Sequence, residues 1–255
     1  MGLAKKIKGV IRDLFRKAGY DVVRYKSDER GLNPFQDMRF FLNETKCPVI
    51  FDVGANVGQT VDQIKKFFPD SFVHSFEPSP STYAKLNEHC NGLDGVKTWN
   101  FGVGGRQATL PFIENEYSDM SSFLTPSEFS GGRVLKTTSV KILTLDAFAK
   151  EQNIEMVHIL KSDTQGFDLE VFKGAEELMR QNRIKLVYFE FIFSKMYEGL
   201  PSFDEVFGFL SERNFSLVSF YNFNFQRDLL GWIDLLFIND DYSRALRAMA
   251  WPPRS

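Results

Sequence analysis

From residue 49 onward, short apolar runs alternate with stretches whose apolar residues recur at helical spacing. The runs near 49–53, 72–76, 96–101, 156–162, 184–191, 215–221 and 232–238 have strand length and end at turn-forming residues. Between them, the helical period predicts helices near 59–68, 80–90, 168–181 and 202–213. Strands and helices in this order build a mainly parallel twisted sheet with helices on both faces. The rhythm breaks between Gly102 and Val140, where Gly104-Gly105, Pro126 and Gly131-Gly132 mark polar turns around one short strand expected at Thr109 to Ile113. That stretch is the expected insertion over a substrate.

Near the start of the chain, Leu3, Ile7, Val10, Ile11, Leu14 and Phe15 recur at helical spacing with lysines on the opposite face, predicting an amphipathic helix that ends near Gly19. Residues 1–26 hold eight basic residues (Lys5, Lys6, Lys8, Arg12, Arg16, Lys17, Arg24, Lys26) against Asp13 and Asp21. That is a net +6 in a chain of formal charge −2, leaving −8 on the remainder. The apolar stripe can pack on the domain with its lysines solvated, or residues 3–18 can lie on an anionic membrane surface. The N-myristoylation pattern fails, because Lys6 stands where Ser or Thr is required. This divides the chain into a basic lead-in over 1–45 and one domain over 46–255.

Composition narrows the setting. With 255 residues, 43% apolar and 25% charged, the chain can bury one substantial core without a second domain. Cys47 and Cys90 are its two cysteines, and no early stretch has signal-peptide character, so a cytoplasmic setting, with peripheral membrane contact as an option, is expected. The richest apolar run, Leu186 to Phe193, is far shorter than a membrane span and contains Glu190.

The most informative chemistry lies at Val49-Ile50-Phe51-Asp52-Val53-Gly54-Ala55-Asn56-Val57-Gly58-Gln59-Thr60. A strand ends there in a glycine turn and a helix begins beyond it, so backbone amides would face a ligand. The next apolar run ends in Glu77-Pro78, where an acid can grip ribose hydroxyls or merely cap a helix. The spacing Gly54-x-x-x-Gly58 lacks the central glycine that lets backbone approach a pyrophosphate. A nucleoside without phosphates fits better than a dinucleotide.

Further on stand Lys161-Ser162-Asp163-Thr164-Gln165-Gly166, then Val187-Tyr188-Phe189-Glu190-Phe191, then Tyr197-Glu198-Gly199-Leu200-Pro201. In this order, together with the glycine turn, they resemble the FkbM-type S-adenosylmethionine-dependent methyltransferases from about Val49 to Asn239. The resemblance implies an α/β Rossmann-like methyltransferase fold with an antiparallel last strand. It also implies methyl transfer to hydroxyls of sugars, glycans or other secondary metabolites. S-adenosylmethionine would lie against Asp52, Gly54, Ala55, Asn56, Gly58, Glu77 and Pro78. Asp119-Met120-Ser121-Ser122 also resembles a family position, which makes Ser121 and Ser122, with Tyr197, candidates for the acceptor. Many members carry Glu where this chain has Gln165, and that departure motivates a second reading as an inactive, ligand-binding relative.

A hydroxyl is a poor nucleophile until its proton is taken or a metal polarises it. Asp52, Glu77, Asp163 and Glu190 all fall at carboxyl ends of expected strands, where ligands of open α/β sheets bind. Asp163 is the first candidate for a base or a magnesium ligand, Glu190 the second, and Lys161 a charge partner. His74 and His158 sit inside expected strands and read as interior residues, while His89 lies late in a helix, where a cation is favoured. No His, Cys and Asp residues have zinc spacing. Nucleic acid is disfavoured as a partner: the body of the chain is acidic, and no Asn-Pro-Pro-Tyr tract is present for a flipped base.

Overall fold

The computed structural model describes residues 11, 13–18 and 30–250. Most of the expected N-terminal helix therefore lies outside the described residues. Residues 13–17 are helical, and Ile11, Leu14 and Phe15 are exposed.

The seven expected strands pair into one sheet. They are β1 (Val49–Val53), β2 (Phe72–Phe76), β3 (Val96–Trp99), β7 (Val157–Ser162), β8 (Ile184–Ile192), β9 (Phe215–Gln226) and β10 (Leu229–Asn239), in the order β3-β2-β1-β7-β8-β10-β9. All pairs are parallel except those of β10, which runs antiparallel to both β8 and β9. The tight turn joining β9 to β10 uses Arg227 and Asp228 in the left-handed region, at φ +50° and +64°, which matches the twist of a two-residue hairpin.

Alternation along the strands sends side chains to two cores. Phe51 and Val53, Leu160, Val187 and Phe189 meet the helices α4 (Leu145–Glu151), α5 (Asp168–Lys173), α6 (Glu176–Arg180) and α7 (Phe203–Ser211). Ile50, Ile159, Leu186 and Leu236 face α1 (Pro34–Phe41), α2 (Gln59–Phe67) and α8 (Asp240–Ala250). The remaining helix, α3 (Pro80–His89), packs Leu86 on Val61 of α2. Helix α1 is tied down by Asp37, whose Oδ2 accepts from Gly31 N and Tyr221 Oη, both at 2.7 Å.

Three expectations need correction. The run near 96–101 ends as a strand at Trp99, and the chain then crosses into a second sheet. Residues 102–140 are more than turns around one short strand. Strands β4 (Gly102–Val103), β5 (Ala108–Asn115) and β6 (Val134–Leu143) form a sheet ordered β4-β6-β5. Strand β6 escaped the pattern because it buries only Val140 and Ile142 and exposes Lys136 and Lys141. The single helix expected at 168–181 is two, broken at Gly174-Ala175, where Gly174 O accepts from Asp146 N at 2.9 Å and not from Leu178 N; residue 174 must be glycine because a Cβ there would lie 2.3 Å from Gly104 O. The Asp146 carboxylate restarts the second piece, accepting from Glu177 N at 3.0 Å and Leu178 N at 2.9 Å.

At the base of the sheet, His158 Nδ1 accepts from Val49 N at 3.0 Å, and His74 stacks on Trp99 with its Nδ1 3.3 Å from Trp99 Nε1. Burial, and then the nearby Lys185 or Lys97, lowers both histidines to about 4. The folded chain therefore refuses protons that the unfolded chain accepts. Stability present above the ordinary value of 6.5 is lost as pH falls toward 4. His158→Asn keeps an acceptor for the Val49 amide but cannot titrate. It should reduce the loss of stability across that interval by on the order of 1–2 kcal/mol, a figure discounted for the ring's partial exposure. Urea midpoints measured through the interval check this, and an unchanged slope would contradict it.

Candidate active site

The glycine turn after β1 folds over the end of β2: Gly54 N and Ala55 N both donate to Phe76 O at 3.0 Å. Two of its residues can only be glycine. Gly54 has φ +74° and a Cβ there would lie 1.9 Å from Asp163 O, while Gly58 has φ +105° and a Cβ would lie 2.6 Å from His89 Cδ2. His89 is itself held by Asp62, with 2.9 Å between Nε2 and Oδ1. Between the glycines, Asn56 at φ +49° turns its amide toward β2, and Asn56 N donates to Glu77 Oε2 at 3.0 Å. Ser79 N donates to the other oxygen, Oε1, at 2.9 Å, so each keeps a lone pair for a further donor. Burial pushes the Glu77 carboxyl up to about 7 despite these two bonds and the Lys161 charge.

A cavity opens between this turn and the small sheet. Gly54, Asn56, Glu77 and Pro78 form one wall and Phe101, Phe123 and Ser121 face them, with Asp163, Thr164 and Gln165 at the floor between. Asn56 Oδ1 and Thr164 Oγ1 are buried without a protein partner, which leaves an acceptor and a hydroxyl for a polar ligand. The chemistry of this lining suits a nucleoside: free lone pairs on Glu77 for ribose hydroxyls, two unpartnered polar atoms, and the rings of Phe101 and Phe123. Asn100 Nδ2 braces the wall by donating to Glu77 O at 2.9 Å and Pro78 O at 3.2 Å. Glu114 of β5 ties the small sheet to α3, accepting from Ser79 and Ser81 Oγ at 2.9 Å and from Thr138 Oγ1 at 2.6 Å.

Beside the cavity lies a connected set of charges. Lys161 Nζ stands 3.1 Å from Asp52 Oδ1 and 3.8 Å from Asp163 Oδ2, and donates to Gly54 O at 3.2 Å. Burial opposes its charge, yet Asp52 and then Asp163 hold the Lys161 ammonium above the ordinary lysine value. Gln165, at φ +52°, donates from Nε2 to Asp163 Oδ1 at 3.2 Å and to Glu190 Oε1 at 3.0 Å. Its Oε1 accepts from Tyr197 Oη at 3.0 Å. Burial first, then Asp163, Asp234 and Asp168, pushes the Glu190 carboxyl up to about 9. Asp234, directly across from Glu190 on β10, accepts from Tyr188 Oη at 2.6 Å and Asn222 Nδ2 at 2.5 Å.

The candidate residues thus occupy two shells. Gly54, Asn56, Glu77, Pro78, Ser121 and Asp163 line the cavity. Asp52 is fully buried beneath the turn, against Lys161 and Ser75 Oγ. Ala55 packs in the core beside Val61, and Glu190 and Tyr197 reach the floor through Gln165. Ser122 is buried with its Oγ donating to Gln165 O at 2.9 Å, where it pins the insertion to the β7 turn. Sequence reasoning missed Asn100, Glu114, Thr164 and Asp234; Asn100 acts between the ends of the neighbouring strands β3 and β2, and Glu114 from the second sheet onto the start of α3, contacts that no local spacing announces. Among the described residues no group of three or more His, Cys, Asp or Glu is disposed to hold a metal, so magnesium receives no role.

The chain matches the Methyltransferase FkbM domain over residues 52–217. The 2-O-methyltransferase NoeI of Sinorhizobium fredii is 26% identical over 186 residues, covering 65% of this chain and 76% of that protein. The hexuronic acid methyltransferase AglP of Haloferax volcanii is 24% identical over 161 residues, covering 62% of this chain and 63% of that protein. Among solved structures, an rRNA methylase from Streptococcus thermophilus superposes with a TM-score of 0.47 at 11% identity, covering 81% of this chain and 96% of that one. The family match takes in the glycine turn, the cavity and the Lys161-to-Gln165 turn, and spans well over half of the sequence; the chain belongs to the FkbM methyltransferase domain family.

Proposed function

We propose that this methyltransferase binds S-adenosylmethionine beneath the glycine turn and methylates a hydroxyl of a sugar, glycan or other secondary metabolite. The observation that carries the reading is the Asp163 carboxylate, on the cavity floor beside the Gly54, Asn56 and Glu77 cradle. S-adenosylmethionine, when bound, supplies an electrophilic methyl carbon and its own leaving group, so the protein has only to align the acceptor and take its proton. Asp163 takes that proton, and Lys161 steadies its charge. Phe101 and Phe123 shape an apolar, aromatic wall suited to a cationic sulfur. The printed names of the two relatives, a 2-O-methyltransferase and a hexuronic acid methyltransferase, support a sugar-type acceptor. Gln165 does not by itself favour the inactive reading, because its whole amide is engaged with Asp163, Glu190 and Tyr197.

A peripheral membrane role for the basic arm is a separate part of this proposal. It is supported by the exposure of Ile11, Leu14 and Phe15 in a segment of net charge +6. No helix among the described residues is long and apolar enough to cross a membrane.

Three measurements test the proposal. Glu77→Ala should weaken S-adenosylmethionine binding by one to two orders of magnitude in calorimetry, through loss of charge-assisted bonds of roughly 1.5–3 kcal/mol. Equal affinity in a folded variant would reject Glu77 as the ribose ligand. With an acceptor found by screening labelled methyl transfer against nucleotide sugars, glycolipids and polyketides, Asp163→Asn should lower turnover by about a hundredfold or more. Cofactor affinity should stay nearly intact, and surviving turnover would move the base elsewhere. Removing residues 1–18 should abolish sedimentation with phosphatidylglycerol vesicles at low salt while sparing cofactor binding, since each basic side chain near such a surface contributes about 1 kcal/mol. Failure of the full-length chain to sediment would end the membrane reading.

A further inference from the structure

Asp163 on the cavity and Glu190 behind it have a single amide between them. Gln165 has two N–H donors, one directed at Asp163 Oδ1 and one at Glu190 Oε1, and its carbonyl oxygen lies 3.0 Å from the Tyr197 hydroxyl, whose one proton it shares with Met120 O at 2.9 Å. Reversing the amide would turn its oxygen toward the Asp163 carboxylate and give up that bond, which disfavours the alternative. The backbone fixes the side chain equally firmly. Gln165 and Gly166 are consecutive left-handed residues, and Ser122 Oγ donates to Gln165 O at 2.9 Å. A Cβ at Gly166 would lie 2.3 Å from Leu200 Cδ2. A non-glycine residue in this region persists only where its surroundings over-determine it.

We propose that Gln165 is a positioning residue that joins Asp163 and Glu190 into a unit bearing one negative charge, carried by Asp163 on the cavity floor with Glu190 protonated behind it. The functional meaning rests on the reading of Asp163 as the base; the charge state of the pair does not. The surroundings of Glu190 favour this division. Asp163 faces it from the β7 turn, Asp168 from the start of α5, Asp234 from β10, and Tyr188 shares its strand, while Lys161 spends its charge on Asp52 and Asp163. Asp163 is partly open to the cavity, with 39% of its side chain accessible, and can keep a solvated charge that buried Glu190 cannot. A glutamate at 165 would set a third acid against these two. The amide donates to both and adds no charge.

During transfer the acceptor O–H bond breaks and its proton goes to Asp163. S-adenosylmethionine, when bound, would supply the methyl carbon to that oxygen and would keep the electron pair of its S–C bond on sulfur. Asp163 begins this step as the carboxylate because the amide and the neutral Glu190 leave it the lone charge of the pair.

Infrared spectroscopy of the cofactor-free protein tests the unit without any acceptor. A protonated-carboxyl C=O band should persist at pH 8 in the parent and be missing from Glu190→Gln. Gln165→Met, which keeps the size and loses the donors, should shift the band's titration to higher pH. Asp163→Asn removes the neighbouring charge and should lower Glu190's proton affinity by roughly tenfold. Absence of a Glu190-dependent band in the parent at pH 8 would overturn the single-charge unit. An unmoved titration in Gln165→Met would overturn the role of Gln165. If that variant does not fold, the Asp163→Asn shift still decides whether the two acids are coupled. A confirmed band alongside surviving turnover in Asp163→Asn would reject Asp163 as the base and leave the pairing intact.

Discussion

Everything at the cavity hangs on one buried cation. Lys161 and Asp52 are register partners on β7 and β1, and Ser75 and Tyr188 extend the same row across β2 and β8. On this face of the sheet the row nearer the strand starts is apolar, with Ile50, Ile159 and Leu186, and the row nearer the strand ends is polar. Burying an ammonium is tolerable only with close partners, and removing one member of such a pair typically costs 3–5 kcal/mol. Lys161 therefore has three jobs fused into one position: it neutralises Asp52, holds the Gly54 carbonyl, and lies within Coulombic reach of Asp163.

Around that cation, the second sheet acts as a bracket. Its strand β5 delivers Glu114 to the start of α3, and its connecting segment carries Phe123 between Phe112 and Phe167, with ring centroids 4.8 and 4.9 Å apart. The segment also bridges to the loop after β8 through Pro126 and Tyr197. The roof of the cavity is thus fastened at three separate elements rather than draped over it.

Period-two and helical spacing made the seven-stranded sheet and four of its helix positions legible, because each is amphipathic or wholly buried over its own length. The second sheet was obscure for the converse reason. Strand β6 is mostly solvated, and its partner β5 lies beyond an eighteen-residue connection. At the site, Gly54, Glu77 and Asp163 could be read locally because a turn conformation and strand ends dictate them. The partnership of Glu190 with Asp234 could not, since it depends on which strands become neighbours, and β8 meets β10 rather than β9. Gln165 read as a departure from a pattern, and only the three-dimensional contacts show its amide fully used.

The missing side chain at Gly54 has one more consequence. Because the carbonyl of Asp163 fills the space a Cβ would occupy, the glycine turn and the acid-bearing turn touch atom to atom. The separation between donor cradle and acid is therefore a van der Waals distance set by backbone, indifferent to what the overlying insertion does. A lineage could remodel that insertion to recruit different acceptors while inheriting the alignment unchanged, much as a tool keeps its jaw spacing when the handle is replaced.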